Sequence, residues 1–274
     1  MTADISKSRL QKLLSYQQKK KRKRKNLFPI EGVRLVLEAL QSDWEVGELY
    51  YSHSFKLTPS GNRILELARK RRVELLEVQE KVIRKMADTE KPQGVVAMVN
   101  MKHFSAEQTI SSGRTDFVLA LEDIRDPGNL GTLIRSADAL GCDAVLLSEN
   151  SVELYNPKVL RSNMGSLFHL PVIYPIKLLG ALESLKQKKF RLVATSPSGG
   201  KNCNEVDFRE PTCLLVGNEA RGLTKEILEL CDQRVTIPRW GKAESLNVSV
   251  AAGIIMYEIA QQKKSKPGTR VNVE

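Results

Sequence analysis

The chain has 274 residues, 41% hydrophobic and 27% charged, with a net charge of +11; this is enough for two domains with cores of their own, without disulfide or metal staples. The four cysteines (Cys142, Cys203, Cys213, Cys231) and three histidines (His53, His103, His169) are scattered without a Cys-x-x-Cys pair, so neither a disulfide framework nor a metal site is expected. No apolar run approaches the ~20 residues that span a bilayer, and charges stand where a signal peptide needs an apolar core, so the expectation is a cytoplasmic protein with no membrane partner.

Residues 1–26 hold ten Lys or Arg against the single acid Asp4, so nine of the eleven net positive charges lie there. Seven are the unbroken run Lys19, Lys20, Lys21, Arg22, Lys23, Arg24 and Lys25. Such a block repels itself and stays solvated unless a polyanion neutralises it, so 1–26 is expected to be a flexible basic arm, either a solubilising tail or a salt-sensitive contact to RNA phosphates.

Residues 27–103 alternate helical and extended patterns. Glu31 to Leu40 is amphipathic, Glu48 to Tyr51 extended, Arg63 to Arg72 amphipathic, Val73 to Val78 a strand, Lys81 to Ala87 a helix, and Gly94 to Asn100 a buried strand. This is a small α/β unit. The stretch 104–115, ending in Ser/Thr/Gly-rich sequence without periodicity, reads as a linker.

From 116 to 265 the alternation strengthens. The apolar run FVLALEDI ends at Asp126-Pro127-Gly128, Asn129 to Leu140 is helical, and Gly141 sits at the expected stop. Ala144 to Leu147 follows as a strand, Val159 to Phe168 as a helix, Val172 to Tyr174 as a strand, Leu178 to Lys188 as a helix and Arg191 to Thr195 as a strand. Cys213 to Val216, Thr224 to Cys231 and Arg234 to Ile237 continue as strand, helix, strand, and Leu246 to Gln261 closes the fold as a long apolar helix. The pattern argues for a mostly parallel sheet covered on both faces, with 266–274 as a tail.

In such sheets ligands sit at the carboxyl ends of the strands, which selects the loops DIRDPGNLG, VGNEARGL and TIPRWGKAESLNVS. Gly128-x-x-Gly131 lacks the full dinucleotide fingerprint, and Ser198-Gly199-Gly200-Lys201 has Thr195 where a phosphate loop needs its leading glycine, so a dehydrogenase and a phosphate-loop enzyme are both set aside.

Together the three loops resemble the SpoU (TrmH-like) branch of the SPOUT ribose methyltransferases. The likeness rests on Asn129 with Arg135 six residues on, Gly-Asn-Glu-x-x-Gly-Leu at 217–223, and Ile237-Pro238 followed by Ser245-Leu246-Asn247-Val248-Ser249. It extends to Asn156-Pro157-Lys158 and to Arg161 through Pro171, where Asn163 and Met164 depart from the usual small residues. Phe28 to Leu40 and Gln93 to Val99 resemble the family's small RNA-binding domain, itself similar to ribosomal proteins.

The resemblance implies an α/β fold whose C-terminal, mostly parallel sheet carries a trefoil knot, preceded by a smaller α/β RNA-binding domain. It implies a homodimer and transfer of a methyl group from S-adenosylmethionine to a ribose 2′-hydroxyl of RNA. Ribosomal RNA is favoured over tRNA because of the extra N-terminal domain; a non-catalytic RNA-binding protein on the same fold is the rival. Carried over position by position, Gly217, Asn218, Ile237, Pro238 and Leu246 hold the cofactor, largely through backbone groups. Arg135 is the catalytic residue, with Asn129, Glu219, Ser245 and Asn247 orienting it and the ribose. The run 19–25 and Arg161 are expected to contact RNA. Elementary chemistry qualifies two of these: Asn129 and Ser245 also stand where a helix N-cap is common, and an arginine is too weak an acid to act as a general base.

Overall fold

The computed structural model describes residues 5–111 and 115–264, which divide into two compact units: one built from the chain up to Lys102 plus Glu153–His169, the other from His103–Val152 plus the chain from Leu170 on. The tail expected at 266–274 lies outside the described residues.

The N-terminal unit opens with two helices, α1 (Lys7–Ser15) and α2 (Lys19–Lys25), followed by β1 (Leu27–Glu31), α3 (Val33–Gln41), β2 (Val46–Ser52) and the short α4 (His53–Lys56). It continues with α5 (Pro59–Lys70), β3 (Glu74–Val78), α6 (Glu80–Met86) and β4 (Val95–Asn100). The sheet order is β1-β4-β2-β3, with β4 antiparallel to both neighbours and β2 parallel to β3. Leu13 from α1, Tyr16 at its C-cap, and Val82, Ile83 and Met86 from α6 cover the sheet face that carries Tyr50, Val96 and Met98.

The expected flexible arm is therefore corrected: its described part is helical. Leu13 and Tyr16, one turn apart, bury into the core, and Arg22 is 3% exposed. Its guanidinium donates from Nε to the Glu153 carboxylate at 3.1 Å, forms a second short contact to that carboxylate, and donates to the carbonyls of Tyr16 and Gln17. One residue of the cationic run is thus an internal anchor, while Lys19, Lys20, Lys23, Arg24 and Lys25 stay exposed.

The C-terminal unit begins with α7 (Ala106–Ser111), where a linker was expected. Ile110 is buried in this unit's core, with Phe104 and Ala106 packed against it. Then come β5 (Phe117–Leu121), α8 (Pro127–Ala139) and β6 (Ala144–Ser148); β7 (Val172–Ile176), α10 (Leu178–Gln187), β8 (Arg191–Thr195), the two-residue β9 (Lys201–Asn202), β10 (Thr212–Val216), α11 (Lys225–Leu230), β11 (Gln233–Thr236) and α12 (Val248–Lys264) complete it. Between β6 and β7 the chain contributes α9 (Pro157–Asn163) to the N-terminal unit.

The single helix expected over Val159 to Phe168 is broken. Met164 turns left-handed at φ 54° and Gly165 at φ 103°, before one 3-10 turn at Ser166–Phe168. A side chain at Gly165 would overlap that of Glu38.

All pairings in the seven-stranded sheet are parallel, in the order β7-β6-β5-β10-β8-β11-β9. The adjacent interior strands β6, β5 and β10 are buried throughout, as their unbroken apolar runs require of a sheet covered on both faces. The order runs outward from β5 through β6 to β7 on one side and reverses through β10 on the other. The β5–β10 boundary is thus a topological switch point, the place in an open parallel sheet where ligand-binding loops gather at the carboxyl ends of the strands.

Candidate active site

The loop after β10 is closed on itself by two backbone hydrogen bonds between Asn218 and Gly222, at 3.0 and 2.9 Å. Gly217 runs so close to this closure that a Cβ there would lie 2.3 Å from the Gly222 carbonyl carbon; only glycine fits. The Asn218 side chain is consumed by the loop. Its oxygen accepts from the amides of Ala220 and Arg221, and its nitrogen donates to the Asp123 carbonyl at 2.8 Å.

A cleft of about 340 Å³ opens beside this loop, at the carboxyl ends of the adjacent strands β8, β10 and β11. Gly217, Asn218, Glu219, Ile237, Ser245 and Leu246 line it, so six of the ten cofactor and catalytic residues expected from sequence converge here. Pro238 lies between the lining residues Ile237 and Arg239 without lining the cleft itself.

Two more of the expected residues reach the rim by hydrogen bonding. The Glu219 carboxylate accepts from the amides of Arg125 and Asp126 and from the Asn129 side chain, at 3.1 to 3.2 Å. The oxygen of Asn129 accepts in turn from Asn247 Nδ2 at 3.0 Å, and Asn247 Oδ1 accepts from the amides of Ser249 and Val250 and from the Ser249 hydroxyl. Three sequence-distant segments, 125–129, 219 and 247–250, are thus joined in one chain of hydrogen bonds.

Burial works to raise the Glu219 carboxyl, but the amides of Glu219 itself and Asp126, the Asn129 side chain and the Arg125 amide outweigh it and hold the group below the usual carboxylate range. Glu219 is therefore an anionic acceptor and a poor proton acceptor.

These contacts also resolve the capping alternatives. Asp126, not Asn129, caps α8, accepting from the Asn129 amide at 2.8 Å, which leaves the Asn129 side chain free to bridge. Asn247 rather than Ser245 caps α12, which starts two residues later than expected. Arg135 is exposed on α8 and is absent from the cleft lining; among the described residues it has no hydrogen-bond or ion-pair partner. Arg161 belongs to the N-terminal unit, where it pairs with Asp88.

Sequence reasoning did not single out Asp123, Arg221 and Arg239. Asp123, at φ 53°, pairs with Arg125 at 2.5 Å and with Arg221 at 2.8 Å, pinning the start of one loop to the middle of the other; Arg221 and Arg239 both line the cleft. For Asp123 the available signal was the acidic pair Glu122-Asp123 directly after a buried strand. Among the described residues no group of His, Cys, Asp or Glu is placed to hold a metal, and no helix is long and apolar enough to cross a membrane.

Known proteins resemble this chain in sequence and fold. Residues 116–257 match the SpoU rRNA Methylase family, and residues 7–97 match the MRM3-like substrate binding domain. The chain is 36% identical over 241 residues to the 23S rRNA (guanosine(2553)-2′-O)-methyltransferase RlmP of Bacillus subtilis, covering 88% of this chain and 91% of that one. It is 35% identical over 256 residues to the 23S rRNA (uridine(2479)-2′-O)-methyltransferase of Streptomyces viridochromogenes, covering 89% and 86%. The crystal structure of the SpoU methyltransferase AviRb from Streptomyces viridochromogenes, in complex with the cofactor AdoMet, matches with a TM-score of 0.85 at 33% identity, over 95% of this chain and 99% of that chain. With two of the three loops lining one cleft, the third tied to its rim through Glu219, and the match spanning both units, the chain belongs to the SpoU rRNA methylase family.

Proposed function

We infer that the protein is an S-adenosylmethionine-dependent enzyme that methylates a ribose 2′-hydroxyl of RNA, ribosomal RNA in preference to tRNA. The observation that carries this reading is the convergence of Gly217, Ile237 and Leu246 on one cleft whose rim is tied by Glu219, Asn129 and Asn247. The Bacillus and Streptomyces relatives, both named for 2′-O-methylation of 23S rRNA, support the substrate class, and the AdoMet complex of AviRb supports the donor.

The cleft suits that donor. Its volume of about 340 Å³ falls in the range of small-molecule sites, and the tight 217–222 loop forms one of its walls. When bound, the donor supplies a methyl group on a sulfonium whose departing thioether is neutral, so little electrophilic help is needed and positioning dominates.

The protein's remaining task is to hold the ribose in line and loosen its hydroxyl proton. Glu219, with its oxygens occupied by N–H donors, fixes the Asn129 amide and through it the start of α12. Arg135 clamps the RNA phosphate and hydroxyl, lowering the hydroxyl's pKa, and the proton leaves to phosphate or water.

Arg135 stands outside its own cleft, and a second copy accounts for this. Val250, Ile254 and Tyr257 form an exposed stripe along α12 bordering a groove with Thr132 and Ser136 of α8. Self-pairing of this face in a two-fold dimer covers the stripe and carries Arg135, next to Ser136, towards the cleft of the other protomer. Lys19, Lys20, Lys21, Lys23, Arg24 and Lys25, with Arg161, add sequence-independent phosphate affinity.

Mapping ribose 2′-O-methyl marks on total RNA from cells with and without the gene tests the reading; one ribosomal mark should vanish with the gene. Purified protein that shows no calorimetric binding of S-adenosylmethionine and methylates no ribosomal RNA would overturn it.

A further inference from the structure

Every residue from Arg239 to Asn247 is exposed, and one of them is a tryptophan. Trp240 is 92% exposed, whereas the chain's other tryptophan, Trp44, is 2% exposed. An indole left in water forgoes a large apolar burial, yet this segment is not loose chain. It leaves the cleft at Ile237 and Arg239 and returns to it at Ser245 and Leu246, and the Arg239 guanidinium donates to the Glu244 carbonyl across its base. The tip, Trp240 to Ala243, is thereby held out beside the mouth of the donor cleft. Cations accompany it: Lys242 is exposed in the same tip, and Arg221 and Arg239 line the cleft.

We propose that Trp240 is a base-stacking residue of the RNA site, receiving on its face a nucleobase at or next to the target nucleotide while Arg239 and Lys242 meet the flanking phosphates. The inference rests on the methyltransferase reading above. An aromatic face among cations is what unstacked RNA requires: the π-surface accepts any base, and the cations neutralise the backbone. Placing that face at the cleft mouth fixes the base and so limits the rotation of the attached ribose, which adds orientation that the donor cleft alone cannot supply. Trp240 thus contributes to substrate positioning rather than to donor binding.

The test uses the full-length protein, a short single-stranded oligoribonucleotide, and ribosomal RNA from cells lacking the gene. Because Trp44 is buried, the oligoribonucleotide should quench tryptophan emission from the wild type and not from Trp240→Phe. In methylation assays Trp240→Ala should raise the KM for RNA roughly ten- to a hundredfold, leaving S-adenosylmethionine affinity and sedimentation unchanged, and Trp240→Phe should recover most of the loss. A wild-type KM in Trp240→Ala, a parallel loss of donor affinity, or a changed oligomeric state that marks the indole as a contact between copies would each overturn the proposal. If the wild type methylates no ribosomal RNA, the functional reading fails instead, and the quenching titration then decides the stacking by itself.

Discussion

Glu153 in the N-terminal unit and Glu219 in the C-terminal unit both tie distant stretches of chain together, but their charges are met in opposite ways. Glu153, 5% exposed, faces a guanidinium that is itself 3% exposed; the charge is cancelled in the interior and serves packing. Glu219 borders a cleft and is met by amide and side-chain N–H groups, without a cation among the described residues. Its negative charge therefore persists at the rim. The difference separates a carboxylate whose loss unfolds a unit from one whose loss disorders a site.

Breaking the first should have the largest effect. Arg22→Ala strands a buried carboxylate and is expected to lower stability by about 3–5 kcal/mol, read as a drop in the thermal or urea midpoint; joint replacement of Arg22 and Glu153 by Met and Leu should restore most of it. Arg135→Ala is next. Turnover should fall roughly a hundred- to a thousandfold, with S-adenosylmethionine binding and melting temperature unchanged, and preserved turnover would remove Arg135 from the mechanism.

Glu219→Gln keeps the shape but puts an N–H where an acceptor is needed. Turnover is expected to fall about tenfold, with a stability loss of about 1–2 kcal/mol, and the calorimetric enthalpy of donor binding will show whether the loop has shifted.

The smallest effect is on pH dependence. Because the folded Glu219 carboxyl is held below its ordinary value of 4.5, its contribution to stability is full above that value and fades as the pH falls through the lower folded value. The acid limb of the melting curve should therefore flatten in Glu219→Gln relative to wild type. An unchanged limb would place the titrating group elsewhere.

The central strands were legible because parallel strands buried on both faces read as unbroken apolar runs, as FVLAL and TCLLV do. The cleft was legible through the loops after β10 and β11, whose residues lie at strand ends and line it, and its rim through the loop after β5. What charge counting misread was the basic run: position 22 alone turns inward, and its partner lies 131 residues away in sequence, beyond any local pattern. The break at Met164 was hidden for a related reason, since a left-handed non-glycine residue is sustained by its surroundings and leaves no mark in periodicity. The bridging role of Asn129 depended on Asp126 taking the cap, a competition between two good cap residues that only the fold decides. Arg135 stands exposed on α8 and outside the cleft lining, a position that its six-residue spacing from Asn129 did not reveal.

Leu121 and Val216 end their strands as register partners. Glu219, three residues past one end, meets the amides of residues 125 and 126, four and five past the other. The carboxylate is thus aimed by counting residues from a common baseline. One residue inserted between 216 and 219 would displace it by about 3.3 Å, further than a hydrogen bond tolerates. Loop length is therefore the quantity this site can least afford to vary, and changes in length here should be far less tolerated than exchanges of the neighbouring side chains.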